Sequence, residues 1–557
     1  MSAPTTANRL FIDAYSCPIC NTTVEDDNAS TNTLAFDGPC QKWYHRSCAN
    51  LSYQEFRNIR TNEDVRWQCP SCTIAASAVA LVNQMQTPSP APVTEMLSES
   101  PTSPYPAFRK ANTGLTGQCK WGILESYAEI HQTLQGAYDE IVKWKKNFFR
   151  IPYGSCGKDV VNELTKLFSL YNSSDPLQGI AIKAVLVLLP LLLQKPTRKS
   201  KTKDHRRHLQ RRLELWKEGG VNALVKEGKA IQKRLQSSKR SSKVNIARAF
   251  SNLVFQGKVG AACKLINSSD GRPIEINRAV IDLLVQKHPE GKDASSEALI
   301  EDREPQFVEP IIYEGLDSNM IMKAALQTRG SGGPTKIDAD IWRQLMCSKS
   351  FMPASEGLCE QVSIFAKHLC NEYADPSCLT EFTACRLLPL DKEPGSLNLK
   401  IRPIGIGEVI RRICGKATMM LLKPELVEAA GPLQTCAGLA GGIDAAIHAM
   451  RDIFDDENTE GMLLVDANNA FNSLNREASL RNMDKICPEI SKYLINTYRE
   501  PARLFINNAN GQYITSEEGS TQGDNAAMNM YACSIKPLID ILSNPSAYQV
   551  AGVDRAK

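Results

Sequence analysis

Seven cysteine and histidine residues near the start of the chain have the types and spacing of metal ligands. They are Cys17, Cys20, Cys40, His45, Cys48, Cys69 and Cys72. The first two and the last two form Cys-x-x-Cys pairs, and the other three form a cluster between these pairs. Thiolate and imidazole groups in sets of four bind tetrahedral Zn²⁺, which stabilises domains too small for a hydrophobic core. The sequence therefore predicts a small module that binds one or two zinc ions.

The cysteine pairs and the segments CQKWYHRSC and WQCPSC resemble the PHD finger family. The resemblance implies two interleaved zinc sites. The first would contain Cys17, Cys20, His45 and Cys48, and the second would contain Cys40, Cys69 and Cys72. Phe36 stands where the family has a further cysteine. Asp37 or a water molecule would then complete the second site, or that site is weak.

PHD fingers often read histone tails, so this resemblance also implies a histone-tail peptide as a partner. Trp43 precedes His45 by two residues and matches the position that forms a wall of methyl-lysine cages. A quaternary ammonium gains cation–π energy against such a ring. Tyr15 is a candidate second wall. The alternative interpretation is that Trp43 and Trp67 cover the zinc sites as a miniature core.

A second group of candidate residues lies in the C-terminal half. Asp466 lies at the end of the apolar run GMLLVDA, which is a predicted strand. Its carboxylate there would hold Mg²⁺ beside phosphate oxygens. Phe471 follows five positions later, and its ring would pack under a sugar and exclude a 2′-hydroxyl. The segment GSTQGD predicts a turn, in which glycines such as Gly523 would permit close backbone approach to a nucleotide and Gln522 would contact it.

Cations that could meet triphosphate charge lie upstream of these motifs. Arg402 stands in KIRPIGIGEV, after a predicted strand, and Arg386 and Lys392 stand in RLLPLDKEPG. In this order the segments resemble the reverse transcriptase family, most closely the polymerases of non-LTR retrotransposons. The resemblance implies a fingers-and-palm fold, in which Asp466 binds metal, Phe471 selects the sugar, and Arg402 and Gln522 contact the nucleotide.

The third motif of that family departs from its usual form. Its closest counterpart is GVDR, in which Asp554 would be the second catalytic carboxylate and Arg555 would replace the neighbouring aspartate. The sequence ends shortly afterwards, so we expect the return strand and the thumb to be missing. Loss of a metal-binding carboxylate costs several orders of magnitude in rate, and we therefore expect negligible polymerase activity.

A basic stretch over residues 194–243 is a candidate for RNA or DNA binding, because lysine and arginine at this density attract phosphate backbones. Leu209, Leu213 and Trp216 would form the apolar stripe of an amphipathic helix there. A solvated helix face is the alternative. The apolar segment from Ala184 to Leu193 is shorter than the ~20 residues of a membrane span and contains Pro190, so we expect a buried helix and no membrane partner.

The 557 residues, 42% of them hydrophobic, predict several domains. The fold class is multidomain: a zinc-stabilised finger, an α-helical middle region and an incomplete α+β reverse transcriptase-like region. The predicted boundaries are 1–75 for the finger, 76–112 for a disordered linker rich in proline and serine, 113–195 for a helical region, 196–300 for a basic helical region and 301–557 for the α+β region.

Two functions from different classes follow. One is a retrotransposon-derived reverse transcriptase-like protein with a zinc finger, and the other is a non-enzymatic reader of chromatin or nucleic acid that retains a polymerase-derived scaffold. The cysteines outside the finger are scattered singly and no signal peptide is visible, which indicates the cytoplasm or the nucleus. Of these two compartments we favour the nucleus.

Overall fold

The computed structural model describes residues 126–543 with internal gaps, and also four short strands between residues 15 and 45. The gaps fall at 174, 176, 198, 238–245, 256–262, 264–273, 301–303, 394–398, 460 and 463. The chain divides into two compact units, Met1–Thr102 and Ser103–Lys557. The predicted linker, the side chains of the predicted zinc ligands and Asp554 lie outside the described residues.

The N-terminal unit contains two antiparallel pairs of very short strands. Strand β1 (Tyr15–Ser16) pairs with β2 (Thr23–Val24), and β3 (Thr33–Ala35) pairs with β4 (Trp43–His45). A two-stranded hairpin is marginally stable in water even when its strands are longer. These strands therefore need another source of stability, and bound zinc would supply it.

The second unit begins with a group of helices. They are α1 (Tyr127–Ile141), α2 (Ser155–Asn172), α3 (Gln178–Leu192), α4 (Thr202–Lys217), α5 (Val221–Ser237), α6 (Ile246–Phe255) and α7 (Arg278–Gln286). Helix α1 starts with a capping box between Ser126 and Glu129. Helix α3 is buried along its length, as the sequence predicts, and it continues through Pro190 to Leu192. Among the described residues, no helix is long and apolar enough to cross a membrane.

Further helices follow towards the C-terminus. They are α8 (Ser318–Gln327), α9 (Ala339–Cys347), α10 (Ala354–Asn371), α11 (Pro376–Thr383), α12 (Val409–Leu421), α13 (Lys423–Ala430), α14 (Gly442–Asp455), α15 (Ala470–Ser473), α16 (Arg476–Ile486), α17 (Pro488–Tyr498), α18 (Ala527–Ser534) and α19 (Lys536–Ser543). Helix α9 is preceded by its N-cap Asp338, whose side chain accepts a hydrogen bond from the Ile341 amide. This contact satisfies one of the free amides of the first turn and fixes the start of the helix.

A small mixed sheet of four strands is inserted among these helices. Its order is β6-β5-β7-β8, where β5 is Cys385–Asp391, β6 is Ile401–Gly407, β7 is Ala502–Ile506 and β8 is Tyr513–Ser516. Strands β5 and β7 run parallel, and the other neighbours are antiparallel. Helix α7 packs Val280 and Leu284 on one face of the sheet, against Leu387 and Leu504. The body of the protein is therefore largely helical with a small mixed sheet.

One hydrophobic core joins most of the helices between α1 and α18, whereas α7 belongs to the separate cluster on the sheet. Phe365 on α10 lies near its centre, and its ring contacts the rings of Phe168, Tyr171 and Phe382 at centroid distances of 5.7, 4.9 and 5.4 Å. The helical residues before 195 thus share their core with residues of the predicted α+β region.

Three local predictions are wrong. The run GMLLVDA forms no strand in its described residues, and Leu464 and Val465 are 73% and 84% exposed. An apolar run becomes a strand only where a neighbouring strand pairs with it, and no described strand does so here. Arg402 lies within strand β6 and not after it. The sequence pattern from Asn525 to Leu542 predicts one helical stretch, and the structure has two successive helices there, α18 and α19.

Replacing Phe365 by alanine should lower the free energy of unfolding by about 3–5 kcal/mol, because the ring is fully buried and would leave a cavity. Urea denaturation followed by circular dichroism measures this change. The matched control is Phe307→Ala, which removes a ring that is 80% exposed. Equal losses in the two variants would contradict the assignment of Phe365 to the core.

Candidate functional site

Strand β6 and the turn over residues 519–524 are held together by their backbones. The Gly405 amide donates a hydrogen bond of 2.9 Å to the Gln522 carbonyl. Gly523 has a φ of +113°, and a Cβ there would lie 2.7 Å from the Gly405 carbonyl oxygen. Only glycine permits this conformation and this approach. The glycines therefore fix Gln522 beside the strand that carries Arg402.

The turn that follows Asp466 packs against the same segment. The Ser520 amide donates a hydrogen bond of 2.7 Å to the Phe471 carbonyl. Gly519 has a φ of +60°, and a Cβ there would overlap this carbonyl oxygen. The Asn469 backbone is left-handed as well, with a φ of +56°, and the side-chain Nδ2 of this residue donates to the Lys287 carbonyl at 2.9 Å. Three distant parts of the chain thus meet at one place.

Arg476 anchors the residues that lead into the turn. Its guanidinium donates to the carbonyls of Ser516, Glu518 and Gly519 at 2.7, 2.7 and 2.9 Å. The Arg476 side chain is buried, and its guanidinium carbon Cζ lies 5.8 Å from the centre of the Tyr498 ring. Because a buried guanidinium needs partners for its donors, these contacts hold the segment in a defined position.

The ion pair between Arg411 and Asp524 closes the other end of the turn. The two side chains approach to 2.7 Å, and Arg411 is only 2% exposed. Burial opposes the charge of this guanidinium, but Asp524 raises the pKa of Arg411 above its ordinary value. The Asp524 carboxylate also accepts a hydrogen bond from the Ala526 amide at 2.9 Å. Asp524 is thus engaged in holding the turn.

The result is a cavity of about 440 Å³ beside strand β6. It is lined by four residues that the sequence predicts as site residues: Arg402, Asp466, Phe471 and Gln522. Gly523 does not line it but positions Gln522. The Phe471 ring rests on the Tyr531 ring at a centroid distance of 5.4 Å. The structure does not place the second predicted catalytic residue, Asp554, because this residue lies outside the described part.

The lining of this cavity carries more cations than the motifs alone suggest. Arg402 is joined by Lys392, which the sequence also indicates, and by Lys287, which sequence reasoning missed. Lys287 follows helix α7 directly, and no motif marks it. Arg386, the other predicted cation, lines a different cavity. Its guanidinium donates to the Gly332 carbonyl and to the Asn507 side chain, because residue 386 lies at the opposite end of β5 from Lys392.

Polar uncharged groups complete the wall. They are the side-chain amides of Asn468, Asn469, Asn472 and Gln522. Three cations, one carboxylate and several amides suit a ligand that carries negative charge and several hydrogen-bonding atoms.

Asp466 is the only carboxylate among the described residues that line the cavity. Across the described ranges, no cluster of three acidic, histidine or cysteine side chains could hold a metal ion. A two-metal centre needs carboxylates from at least two places, so the described residues supply one ligand and not a complete magnesium site.

The basic stretch is partly structural. Helix α4 buries Leu209, Leu213 and Trp216, as the sequence predicts. Arg212 on the same helix is 1% exposed and contacts Glu227 at 2.8 Å. Other cations of the helix, such as Lys203 and Arg206, are exposed. Only part of this charge is therefore directed to solvent.

Comparison with known proteins identifies the N-terminal unit. The family described as Pygopus, PHD-type zinc finger, matches residues 14–76. The chain therefore has an N-terminal PHD-type zinc finger. The matched range contains all seven predicted metal ligands, and a PHD finger implies bound zinc.

A related human protein shows similarity over a short stretch. Human Pygopus homolog 1 is 29% identical over 79 residues, which are 14% of this chain and 18% of that protein. The chain thus covers less than a fifth of this relative. The match to the PHD finger family ends at residue 76, so it gives no support to the resemblance of residues 301–557 to reverse transcriptases.

Gly519→Ala should disturb the site, because alanine is strained at a φ of +60° and its Cβ would overlap the Phe471 carbonyl. We expect the free energy of unfolding to fall by about 1–3 kcal/mol, measured by urea denaturation. Gly136→Ala is the control, since nothing lies within 4 Å of a Cβ at this helical position. There alanine should be neutral or stabilising by about 0.5–1 kcal/mol. A loss in Gly136→Ala as large as that in Gly519→Ala would contradict this account.

Proposed function

We propose that this protein binds histone tails through its PHD finger. The observation that carries the proposal is the match of residues 14–76 to the PHD-type finger of Pygopus, a family of histone-tail readers. Strand β4 begins at Trp43, the residue proposed as a wall of a methyl-lysine cage, and β1 begins at Tyr15, the proposed second wall. Such a role places the protein on chromatin in the nucleus.

The proposed zinc sites follow from the same family resemblance. Cys17, Cys20, His45 and Cys48 would hold the first ion. Cys40, Cys69 and Cys72 would hold the second, with Asp37 or water as a fourth ligand. The zinc ions supply folding energy to the finger and take no part in a reaction.

Trp43→Ala should weaken binding of a trimethyl-lysine histone-tail peptide by roughly 30-fold, the equivalent of ~2 kcal/mol of cation–π energy. Isothermal titration calorimetry on the full chain measures the affinity for a panel of methylated and unmethylated tail peptides. Trp67→Ala serves as the control for general damage to the finger, and the zinc content of each variant is measured by atomic absorption. If the wild-type chain binds no tail peptide, or if Trp43→Ala retains affinity with normal zinc content, the cage proposal fails.

We further propose that the body binds a nucleotide in the cavity beside strand β6. Support comes from the convergence of Arg402, Asp466, Phe471 and Gln522 on one cavity from three separate parts of the chain. Cations at Arg402, Lys392 and Lys287 would meet the triphosphate. The Phe471 ring would pack under the sugar and favour a deoxynucleotide. These roles correspond to a protein of reverse transcriptase lineage, with a retrotransposon as its origin.

The proposal concerns nucleotide binding and not polymerisation. Asp466 supplies one carboxylate for Mg²⁺, and the proposed second ligand, Asp554, lies outside the described residues. RNA or DNA would be the accompanying polymer, and the exposed cations of helix α4 are candidates to hold its phosphates. A non-enzymatic chromatin protein that retains this scaffold is equally compatible with the finger.

Arg402→Ala should weaken binding of a deoxynucleoside triphosphate by about 10-fold or more, because a charge-assisted hydrogen bond contributes ~1.5–3 kcal/mol. Titration of a fluorescent deoxynucleotide into the full chain, with and without Mg²⁺, measures the affinity. The control is Arg278→Ala on helix α7, whose side chain is exposed and pairs only with its helical neighbour Asp282 among the described contacts. Equal affinity in Arg402→Ala and the wild type, or no binding by the wild type at millimolar nucleotide, would reject the site.

A further inference from the structure

A second and larger cavity, of about 580 Å³, lies on the body of the protein at the other end of strand β5. Five parts of the chain form its wall, and one of them is Gln236 on helix α5. The other four are residues 142–145 after helix α1, the loop that contains Pro334 and Lys336, Arg386 on β5, and the turn over residues 507–511 between β7 and β8. Arg386 lies six residues before Lys392, so the two cavities are separated by about 20 Å along the strand.

The charge of this cavity has one sign. Lys143, Lys145, Lys336 and Arg386 line it, and none of the described lining residues carries a carboxylate. Glu140 lies one turn before Lys143 and contacts its amine at 3.4 Å, but this half-buried carboxylate does not line the cavity. Four cations around one opening repel each other, and an anion in their midst would relieve this repulsion.

Lys336 and Arg386 are held in place from behind. The Lys336 amine donates to the Val142 carbonyl at 2.7 Å, and its backbone has a left-handed φ of +64°. Burial and the nearby Arg386 lower the pKa of Lys336 to about 8, against the opposing influence of Glu408. Glu408 is fully buried and accepts hydrogen bonds from the amide and hydroxyl of Thr335, so it does not reach the cavity. Burial and the nearby Arg386 make the charged form of Lys336 costly, and an anionic ligand in the cavity would offset this cost.

The turn over residues 507–511 adds neutral donors. Asn507, Asn508 and Asn510 line the cavity, and the last two have left-handed φ values of +64° and +52°. The Ile506 amide donates to the Gln512 carbonyl at 2.9 Å, which closes the turn. Gly511 packs so closely that a Cβ there would lie 3.0 Å from Cγ of Lys143. Backbone strain of this kind is retained where the surrounding structure fixes it, and here it presents amides beside the lysines.

We propose that this cavity binds the phosphate backbone of a single-stranded nucleic acid. Lysine and arginine with amide donors are the groups that contact phosphate oxygens. A phosphodiester is favoured over a small anion, because the cavity is larger than a single phosphate needs and its rim carries the exposed Lys145. The inference is independent of the nucleotide site at Arg402, which lies at the opposite end of β5.

The test compares two double variants of the full chain that lose the same charge. Lys143→Gln with Lys145→Gln removes the rim of the cavity, whereas Lys166→Gln with Lys323→Gln removes two exposed lysines on α2 and α8 that do not line it. Fluorescence anisotropy with a labelled single-stranded RNA measures affinity over a range of salt concentrations. The first variant should bind about 10-fold more weakly, and the slope of log K against log salt should become shallower by about 0.7 for each lysine lost.

Equal losses in the two double variants, or no RNA binding by the wild type, would overturn the proposal. A second arm uses inorganic phosphate and follows the Lys336 amine by NMR, with Lys336→Arg to assign its resonance. The pKa of Lys336 should rise above about 8 when RNA binds. If millimolar phosphate produces this rise and RNA does not, the site takes a free anion and the nucleic-acid assignment is wrong.

Discussion

The buried guanidinium of Arg476 is the contact on which the site in the body depends. It satisfies the carbonyls of Ser516, Glu518 and Gly519, and the Glu518 carboxylate in return accepts from the backbone amides of Arg476 and Lys292 at 2.6 and 2.7 Å. A network of this kind is costly to break, because removal of one partner leaves a buried charge or buried polar groups without compensation. It links helix α16, strand β8 and the segment after helix α7, and so sets where the turn over residues 519–524 begins.

From this anchor the remaining geometry follows through close backbone contacts. Gly519 lies against the Phe471 carbonyl, and Gly523 lies against Gly405 of strand β6. Side chains reach the cavity from opposite sides of these contacts: Phe471 and Asp466 from one, Arg402 and Gln522 from the other. The walls of the cavity are therefore positioned by glycines, because the missing side chain allows close contact between backbones. A methyl group added at Gly519 or Gly523 would push the two walls apart.

The sequence predicts much of this arrangement but not all of it. Cysteine spacing is a strong signal because zinc requires a fixed set of ligands, and it indicated the finger that the family match identifies. Strands β5 and β7 are short apolar runs between turn residues, and both lie in segments that the sequence predicts as strands, ACRLLPL and RLFINNA. The segment that contains Leu464 and Val465 has the same pattern without a pairing partner in the described residues. Periodicity reports which residues prefer burial, whereas pairing depends on distant parts of the chain.

Strand pairing also decides which of the predicted cations reach the cavity beside β6. Arg386 and Arg402 look equivalent in sequence, yet their positions on the paired strands β5 and β6 direct them to cavities at different ends of the sheet. No sequence motif contains Lys287 or Lys145. The fold alone brings these two cations to the cavities, so their neighbours in the sequence do not mark them. The turn residues with left-handed backbone, such as Asn469 and Asn508, are visible only once the conformation is known.

The exposed run before Asp466 has a thermodynamic consequence. On its C-terminal side Asp466 is tied to the structure through Asn469, but Leu464 and Val465 on its other side are largely exposed and make little buried contact. The carboxylate is therefore located from one side only. A ligand that engages it would also order the preceding residues, and part of the gross contact energy would be lost as conformational entropy. A part of the protein or a partner that packs on Leu464 and Val465 would therefore change the affinity of this cavity, even if every residue that lines the cavity stays the same.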